Sequence, residues 1–441
     1  MSGELLAQGD IVVTKRARQP CEILEFIGGG GQGEVYRAML GRSDIAVKWY
    51  FPTASTESQR LALGQLVRRP APSTAFLWPL DLADSDRAPG FGYVMALRPP
   101  SHRDLNAILR REVELPLTTL ATLGMNLSDA FLRLHSEGLC YRDISPRNVF
   151  FDPESADILI CDNDNVGIDG TIDGGVLGTP RFMAPEVVRR EALPSSRTDL
   201  WSLAVLLFSV LCLHHPLEGL RELELPSLSE LTAARELYGD RPVFIFDPRD
   251  ESNRPHPTLH RNAIVLWPFY PPFIRELFTR SFTEGIYDPV TGRVRESEWR
   301  TAMARLRDCV VTCSACGVAD NYLDPLDPSE GTRSCWHCGA PISGSYLEFG
   351  SSSAVMLRRG TAIYGHHLSP DRLYDFTRPL GIVQHHPSDP RRLGLTNRSE
   401  APWVASTTGG TRAEVPVGAT VGCSPGTVID FGEVRATVRQ L

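Results

Sequence analysis

The chain has 441 residues with 45 basic and 53 acidic side chains, so its formal net charge is −8, and 42% of its residues are apolar. These proportions are those of a folded globular protein, which excludes a disordered or collagen-like chain. The acidic balance also argues against nucleic-acid binding, which needs clustered positive charge. At about 150 residues per domain, the length predicts about three domains.

Short β-type runs precede long helical stretches over the first 308 residues, which predicts one large α/β unit. The runs lie at 21–27, 35–39, 45–49 and 93–97, and the helical stretches at 117–135 and 199–213. Residues 309–345 are rich in cysteine and turns. Recurring glycines separate short strands over residues 346–441, which predicts a small all-β sandwich or barrel.

The first ten residues, MSGELLAQGD, lack the basic region and apolar run of a secretory signal. The most apolar stretch, 200–213, is too short to span a bilayer and predicts a buried helix. Four of the ten cysteines form two close pairs, a pattern that favours metal binding over disulfides in the absence of a signal. We therefore expect a cytoplasmic protein with no membrane contact.

A glycine-rich turn joins two of the predicted strands. Gly28, Gly30 and Gly33 fit the pattern G-x-G-x-x-G-x-V, which ends at Val35. Glycines let the backbone approach phosphates closely, although a flexible hairpin turn would show the same residues. A strand follows rather than a helix, which disfavours a dinucleotide site.

Lys48 closes the apolar run Ile-Ala-Val-Lys, thirteen residues after Val35. It is one of only two lysines among the 45 basic residues, the other being Lys15. An ammonium group is a compact charge that can reach the α- and β-phosphates of a nucleotide, where the planar guanidinium of arginine does not substitute cleanly. Lys48 is therefore predicted to bind phosphate; the alternative is a solvated lysine at a strand end.

Three later motifs complete a pattern that resembles protein kinases. Residues 141–148 (YRDISPRN) resemble the catalytic loop, residues 159–162 (LICD) a strand ending in the metal-binding aspartate, and residues 178–186 (GTPRFMAPE) the end of the activation segment. The resemblance implies a bilobal kinase fold, with an N-lobe at about 10–97 and a C-lobe at about 98–308. It also implies transfer of the γ-phosphoryl group of ATP to serine or threonine.

The resemblance assigns roles residue by residue. Asp143 accepts or orients the proton of the substrate hydroxyl, while Asn148 and Asp162 hold Mg²⁺. The catalytic set is Lys48, Asp143, Asn148 and Asp162. The residues implied to contact the ATP·Mg²⁺ cofactor are Gly28, Gly30, Gly33, Val35, Ala46, Lys48, Met95, Asn148 and Asp162.

The same resemblance implies structural and regulatory roles. Thr179 marks preference for serine or threonine, Asp199 braces the catalytic loop, and Arg293 pairs with Glu186. Arg142 is placed like the arginine that pairs with an activation-loop phosphate, which would here be carried by Thr171. The alternative is that Asp169 or Asp173 orders this loop constitutively.

Several positions depart from the kinase pattern. Tyr141 replaces histidine, and Ser145 replaces the lysine that usually touches the γ-phosphate. Asn163, Asp164 and Asn165 follow Asp162, so the Phe and Gly of D-F-G are absent. Asp164 could bind a second Mg²⁺ or be a solvated loop residue, and the solvated interpretation is favoured.

The glutamate that usually pairs with the phosphate-binding lysine is harder to assign. Between Lys48 and Asp81 the only acidic residue is Glu57, nine residues after the lysine. Either Glu57 is that glutamate, carried by a helix that starts early, or the Lys–Glu pair is absent.

Two C-x-x-C-G motifs predict a zinc site between the kinase and the C-terminal segment. Four thiolates at this spacing can bind one tetrahedral Zn²⁺, which makes the site structural rather than catalytic; a redox dithiol is the alternative. We predict a zinc ribbon at 309–345, with His337 as a non-ligand. The predicted ligands are Cys313, Cys316, Cys335 and Cys338.

Residues 346–441 resemble a forkhead-associated (FHA) domain, a β-sandwich that reads phosphothreonine. The resemblance rests on Gly394-Leu-Thr-Asn-Arg-Ser before Trp403 and on the final strand–turn–strand pattern, and His366 stands where the family has arginine. The alternative is a sandwich that docks within the chain or onto a partner.

The order of kinase, zinc ribbon and FHA-like sandwich resembles bacterial kinases found beside type 2C protein phosphatases and von Willebrand-type proteins in tellurite-resistance-like gene clusters. It implies such proteins as partners, besides a protein substrate. The fold class is therefore α+β, and the favoured function is an active serine/threonine protein kinase. The alternative is a pseudokinase scaffold that binds nucleotide and partners; a small-molecule kinase would lack the segment at 178–186.

Overall fold

A computed structural model describes residues 5–170, 178–225, 231–327, 333–350, 353–369 and 371–441. The chain divides into two compact units. Unit 1 comprises Met1–Leu115, Leu123–Leu266 and Leu277–Arg300, and unit 2 comprises Pro116–Thr122, Trp267–Glu276 and Thr301–Leu441. The predicted catalytic residues lie in unit 1 and the predicted zinc ligands in unit 2. The predicted domain limits near 308 and 345 remain predictions.

Unit 1 begins with antiparallel strands that close into a barrel in the order β1-β2-β3-β4-β6-β5. They are β1 (Ile11–Thr14), β2 (Pro20–Gly29), β3 (Gly33–Leu40), β4 (Ser43–Tyr50), β5 (Asp81–Asp84) and β6 (Gly92–Ala96). Successive side chains of a strand point to opposite faces, and Val12, Tyr36 and Val47 are fully buried inside. Helix α1 (Glu57–Leu66) follows β4, and Thr56 caps its start by accepting a hydrogen bond from Gln59 N.

Helices dominate the chain between residues 106 and 308. They are α2 (Asn106–Leu109), α3 (Leu117–Ser136), α4 (Pro185–Val188), α5 (Ser196–Cys212), α6 (Leu220–Leu223), α7 (Leu231–Arg235), α8 (Arg261–Leu266), α9 (Pro272–Phe282), α10 (Glu284–Tyr287) and α11 (Glu296–Asp308). Helix α5 is the buried helix predicted from the apolar stretch, and Ser195 and Thr198 form a capping box at its start. Among the described residues, no helix has both the length and the apolar character needed to cross a membrane.

Short strand pairs position two loops of unit 1. β7 (Arg103–Asp104), β9 (Val149–Phe151) and β10 (Ile158–Ile160) form one sheet, and β8 (Leu139–Cys140) pairs with β11 (Gly167–Ile168). The loop at 141–148 therefore runs from β8 to β9, and the loop at 161–166 runs from β10 to β11. The strand before the first loop, β8, pairs with the strand after the second loop, β11. The strand after the first loop, β9, pairs with the strand before the second loop, β10. These pairings hold the two loops next to each other.

The C-terminal part of unit 2 consists of β-sheets, as predicted. After a hairpin of β12 (Val310–Thr312) and β13 (Asp320–Tyr322), a six-stranded sheet has the order β15-β14-β23-β22-β19-β20 and a four-stranded sheet the order β16-β17-β18-β21. Leu347, Val383, Leu395 and Ile429 are fully buried in their common core. One helical turn, α12 (Gly365–Leu368), was not predicted. The strands are β14 (Ser345–Phe349), β15 (Ser353–Leu357), β16 (Ala362–Ile363), β17 (Gly381–His386), β18 (Asp389–Asn397), β19 (Trp403–Ser406), β20 (Arg412–Val415), β21 (Thr420–Gly422), β22 (Val428–Asp430) and β23 (Arg435–Gln440).

Candidate active site

The loop at 141–148 is held by one carboxylate at the start of α5. Asp199 Oδ2 accepts a hydrogen bond from Tyr141 N at 2.5 Å, and Asp199 Oδ1 accepts one from Arg142 N at 2.9 Å. Arg142 has a φ of +75°, a left-handed conformation that persists only where the surroundings impose it. Asp199 therefore fixes the backbone immediately before Asp143.

Both side-chain oxygens of Asp143 accept hydrogen bonds. Asn148 Nδ2 donates to Asp143 Oδ2 at 3.0 Å and to the backbone oxygen of Asp143 at 2.9 Å. Thr179 Oγ1 donates to Asp143 Oδ1 at 2.7 Å. A carboxylate oriented from both sides presents its remaining lone pairs in a fixed direction, which is what a base for a hydroxyl proton needs.

Lys48 lies on β4 with only 5% of its side chain exposed. Its Nζ is 3.2 Å from Asp162 Oδ1 and 2.9 Å from each side-chain oxygen of Asp164. Burial disfavours the charged ammonium, but the two carboxylates outweigh this effect and raise the pKa of Lys48 above its usual range. Lys48 is therefore a buried cation, which excludes the alternative of a solvated lysine.

The interpretation of Asp164 as a solvated loop residue is wrong. Its side chain is 0% exposed, and it accepts hydrogen bonds from Tyr50 OH at 2.5 Å and Tyr93 OH at 3.2 Å. Burial disfavours its charge, but Lys48 and the hydrogen bonds hold the pKa of Asp164 below its usual value. Burial and the charge of Asp164 instead raise the pKa of Asp162, against the attraction of Lys48.

Asn163 takes the position of the missing D-F-G phenylalanine and is fully buried. Its Nδ2 donates to the backbone oxygens of Leu77 and Ile160, both at 2.9 Å. In the kinase pattern the phenylalanine at this position makes an apolar contact. Here the two hydrogen bonds of Asn163 hold the loop after β10 in place instead.

Glu57 is not brought to Lys48. It is exposed at the start of α1 and lines a separate cavity. The polar contact from α1 to this group comes from Gln59, whose Nε2 donates to Tyr50 OH at 3.4 Å and to the backbone oxygen of Asp164 at 3.3 Å. The assignment of Glu57 as the lysine's partner therefore has no contact to support it.

These side chains surround a cavity of about 540 Å³, a volume typical of small-ligand sites. A Cβ added at Gly28 or Gly30 would meet no atom within 4 Å, whereas one at Gly33 would lie 2.2 Å from the backbone oxygen of Trp49. Position 33 therefore has no space for a side chain against β4, whereas Gly28 and Gly30 leave open space beneath the turn. Of the predicted residues, the cavity lining includes Gly28, Gly30, Gly33, Val35, Ala46, Lys48, Met95, Asp143 and Asp162.

The segment around Glu186 is tied to the end of the helical region by a buried ion pair. Arg293 Nη2 lies 2.8 Å from Glu186 Oε2, and the two side chains are 1% and 12% exposed. Arg293 also donates to the backbone oxygens of Gly285 at 3.1 Å and Arg197 at 2.9 Å. The predicted Glu–Arg contact is therefore present in unit 1.

The predicted phosphorylation site, Thr171, lies outside the described residues, and so does Asp173, one of the two alternatives. Arg142, its expected partner, is buried, and its guanidinium lies so close to Gly167 that an added Cβ there would come within 1.9 Å of it. Asp169, the other alternative, accepts a hydrogen bond from Ser196 N at 3.0 Å. Asp169 thus has a structural role at the start of α5.

The four cysteines of unit 2 form one cluster. Their Sγ atoms lie within 4.8 Å of one another, and all four are free thiols. Cys313 Sγ and Cys338 Sγ are 3.7 Å apart, close to the separation of about 3.8 Å that tetrahedral Zn–S bonds of about 2.3 Å produce. The donor set and its spacing therefore fit Zn²⁺.

Two matching turns present these thiols. Gly317 N donates to Cys313 O at 2.8 Å, and Gly339 N donates to Cys335 O at 2.9 Å. Both glycines are left-handed, with φ values of +69° and +73°, a conformation that glycine adopts without strain. The glycine in each C-x-x-C-G motif is thus required by the turn.

Sequence reasoning missed the residues that surround Asp164. Tyr50 lies two residues after Lys48 and therefore on the same face of β4, which is a signal that could have revealed it. Tyr93 pairs directly with Lys48 across β4 and β6. Gln59 carried no signal, since an amide on α1 is not what the kinase pattern expects there.

Residues 89–243 match the protein kinase domain family. Similar proteins include the DNA damage-responsive serine/threonine-protein kinase RqkA of Deinococcus radiodurans, 30% identical over 210 residues, which are 45% of this chain and 30% of the relative. The serine/threonine-protein kinase pkn3 of Myxococcus xanthus is 25% identical over 215 residues, 46% of this chain and 39% of the relative. CBL-interacting protein kinase 4 of Oryza sativa subsp. japonica is 34% identical over 119 residues, 26% of each chain.

The matched region defines a protein kinase domain. The named relatives, two of them bacterial, support the enzyme class predicted from the sequence, a protein serine/threonine kinase. The chain spans less than half the length of each of these relatives.

Proposed function

We propose that the chain is an active serine/threonine protein kinase of bacterial signalling, which transfers the γ-phosphoryl group of ATP, with Mg²⁺, to a protein hydroxyl. The observation that supports this most strongly is the convergence of Lys48, Asp143 and Asp162 on one cavity beneath the glycine-rich turn. These residues are separated by up to 114 positions in the chain.

The lining of the cavity suits a magnesium nucleotide. Gly28 and Gly30 leave room for phosphates, and Lys48 supplies a positive charge to them. Asp162 is 41% exposed, and a partly exposed carboxylate is the kind of hard oxygen ligand that Mg²⁺ prefers. Asn148 has its Nδ2 committed to Asp143, so its carbonyl oxygen is the atom that can act as a second ligand. When bound, Mg²⁺ neutralises charge on the phosphates.

The acceptor side of the reaction depends on Asp143. The hydroxyl oxygen of the substrate forms a bond to the γ-phosphorus as the bond between that phosphorus and the bridging oxygen of the departing ADP breaks. Asp143 accepts the hydroxyl proton, while Asn148 and Thr179 keep its carboxylate oriented.

The test is phosphoryl transfer by the purified full chain, with labelled Mg·ATP and both a serine/threonine peptide mixture and the chain itself as acceptors. Asp143→Asn and Lys48→Met should each lower the rate about 100-fold or more. Asp44→Asn is the matched control, because Asp44 lies on the same strand as Lys48 but is paired with Arg37 on the surface. Equal labelling by wild type and both site variants would refute the proposal.

The same assay together with calorimetric binding of Mg·ATP would decide the alternative function. A pseudokinase scaffold would bind Mg·ATP in calorimetry and transfer no label. Ser145 and the absent Phe and Gly of D-F-G favour that alternative, and the intact catalytic set opposes it.

Further proposals concern unit 2 and its partners. The cysteine cluster is proposed to bind one structural Zn²⁺ in a zinc ribbon, and residues 346–441 are proposed to be an FHA-like domain that docks partners. A type 2C protein phosphatase and a von Willebrand-type protein are proposed partners on the resemblance of domain order alone. The cytoplasmic location likewise remains a prediction.

A further inference from the structure

The two carboxylates that contact Lys48 come from one short segment of the chain. Asp162 immediately precedes a single turn of 3₁₀-helix, Asn163–Asn165, which carries Asp164. We propose that Asp164 is the permanent counter-ion of Lys48, a positioning residue supplied by the loop that also carries the metal-binding aspartate, in place of a glutamate on α1. This inference rests on the proposed kinase function.

Asp164 and Asp162 differ in burial and in hydrogen bonding, and this difference gives them different roles. Both oxygens of Asp164 receive donors from the protein: Lys48 at 2.9 Å, Tyr50 at 2.5 Å and Tyr93 at 3.2 Å. A fully buried carboxylate whose oxygens are satisfied in this way is not available to a metal ion. Asp162 is 41% exposed, lines the cavity and touches Lys48 at the longer distance of 3.2 Å.

The two carboxylates that contact Lys48 would therefore behave differently when a nucleotide binds. Asp162 is the carboxylate that would hold Mg²⁺, and its engagement there would leave the buried ammonium group with one counter-ion fewer. Asp164 remains, held by Tyr50 and Tyr93, so Lys48 keeps both its charge and its direction. A buried cation left with no carboxylate would be strongly destabilised.

The chemistry of α1 agrees with this assignment. Its Gln59 is a neutral amide that donates hydrogen bonds to Tyr50 and to the backbone of Asp164. Asp162 and Asp164 already place two carboxylates around Lys48. A carboxylate at position 59 would add a third negative charge beside Asp164, where like charges in a buried site repel strongly. The neutral amide of Gln59 adds no charge to this pair of carboxylates, and the buried counter-ion of Lys48 comes from the loop.

A consequence is that Lys48 does not depend on the position of α1 for its charge partner. The carboxylate moves with the loop at 161–166, whose ends are fixed by β10 and β11. Formation of the Lys48–Asp164 ion pair thus depends on the position of the loop at 161–166 and does not require a movement of α1.

The test moves the carboxylate from the loop to the helix. Asp164→Asn should lower kcat/KM for phosphoryl transfer on the order of 100-fold, the effect expected of a misplaced reacting group. It should also raise the Mg²⁺ concentration needed for half-maximal rate. Asp162 would then be the one carboxylate paired with Lys48, so Mg²⁺ would compete with Lys48 for it. Adding Gln59→Glu to Asp164→Asn should restore activity by about tenfold, since contacting residues are energetically coupled.

The single variant Gln59→Glu covers the case in which Asp164→Asn does not fold. In the presence of Asp164 it should lower activity, so the same substitution acts with opposite sign in the two backgrounds. Glu57→Gln is the matched control and should leave kcat/KM within about twofold of wild type, as expected for an exposed side chain without a partner in the site.

Three outcomes would overturn the inference. They are an Asp164→Asn protein with wild-type kcat/KM, a loss in Glu57→Gln as large as that in Asp164→Asn, and a Gln59→Glu substitution that raises activity in the wild-type background. Failure of the proposed function is a separate result, in which wild type itself transfers no label. Calorimetric binding of Mg·ATP then tests the inference without turnover: Asp164→Asn should weaken binding and Glu57→Gln should not.

Discussion

His135 should remain protonated well above neutral pH, and this makes the stability of unit 1 dependent on pH. Its side chain is 9% exposed on α3, between Asp199 and Glu296. His135 Nε2 lies 3.1 Å from Asp199 Oδ2, and Nδ1 contacts Glu296 Oε1. Burial opposes the charge of the imidazole, but the two carboxylates outweigh it and raise the pKa of His135 from 6.5 to about 9.

The sign of the effect follows from linkage. A histidine whose pKa is higher in the folded state stabilises that state fully below pH 6.5 and loses the contribution as the pH rises through about 9. At about 1.4 kcal/mol per pH unit, the shift corresponds to about 3 kcal/mol in the free energy of unfolding. Because Asp199 also holds the catalytic loop, the loss should weaken that loop as well.

The measurement is a titration of the histidine Cε1 resonances in the ¹³C-labelled full chain, with His135→Gln used for assignment. The His135 resonance should have its inflection near pH 9. His215 is the internal control, since burial lowers its pKa to about 4 and its resonance should not titrate between pH 6 and 10.

Urea unfolding measures the effect on stability. Between pH 6.5 and pH 9.5 the free energy of unfolding should fall by about 3 kcal/mol more in wild type than in His135→Gln. An inflection at or below pH 7, or equal losses in the two proteins, would refute the reasoning.

Three other predictions follow from packing and ligation. Gly33→Ala should lower the midpoint of thermal unfolding, because its Cβ would fall 2.2 Å from a backbone oxygen of the facing strand, whereas Gly30→Ala has open space and should weaken only the binding of Mg·ATP. Arg293→Met leaves Glu186 with an uncompensated charge in a buried pair and should cost about 3–5 kcal/mol in urea unfolding. Cys338→Ser should reduce the zinc content, measured by elemental analysis, from about one ion per chain to a small fraction of that.

Each of these has a clear contrary result. Thermal midpoints that fall equally for both glycine variants would show that packing does not distinguish them. A double variant that also replaces Glu186 by leucine should recover part of the loss in Arg293→Met, and no recovery would contradict the buried-charge argument. Wild-type chain purified without zinc, and stable to chelators, would end the zinc proposal.

The parts of the site that depend on short motifs could be predicted from the sequence. Lys48, Asp143 and Asp162 each belong to a motif whose spacing follows from one turn or one strand, so their convergence could be expected once the motifs were combined. The β-rich C-terminal segment was equally predictable, because glycines recur between short apolar runs.

The partner of Lys48 could not be predicted in this way. Whether Asp164 faces solvent or the core depends on the left-handed backbone at Asp162, with φ at +52°, and on two tyrosines from separate strands. The sequence around Asp164 determines neither this backbone conformation nor the contact with Tyr93. Strand alternation could have placed only Tyr50 on the face of Lys48. Glu57 is the only acid between Lys48 and Asp81, but it is exposed, whereas Gln59 contacts Tyr50 and the backbone of Asp164.

The scarcity of lysine makes the chain suited to chemical footprinting. Primary amines on side chains are confined to two positions in 441 residues, because arginine carries nearly all the other basic charge. An acylating reagent delivered by a nucleotide would have one such amine within the cavity. Mass spectrometry of a single peptide could then report how much of the protein is occupied, in a cell extract as readily as in a purified sample.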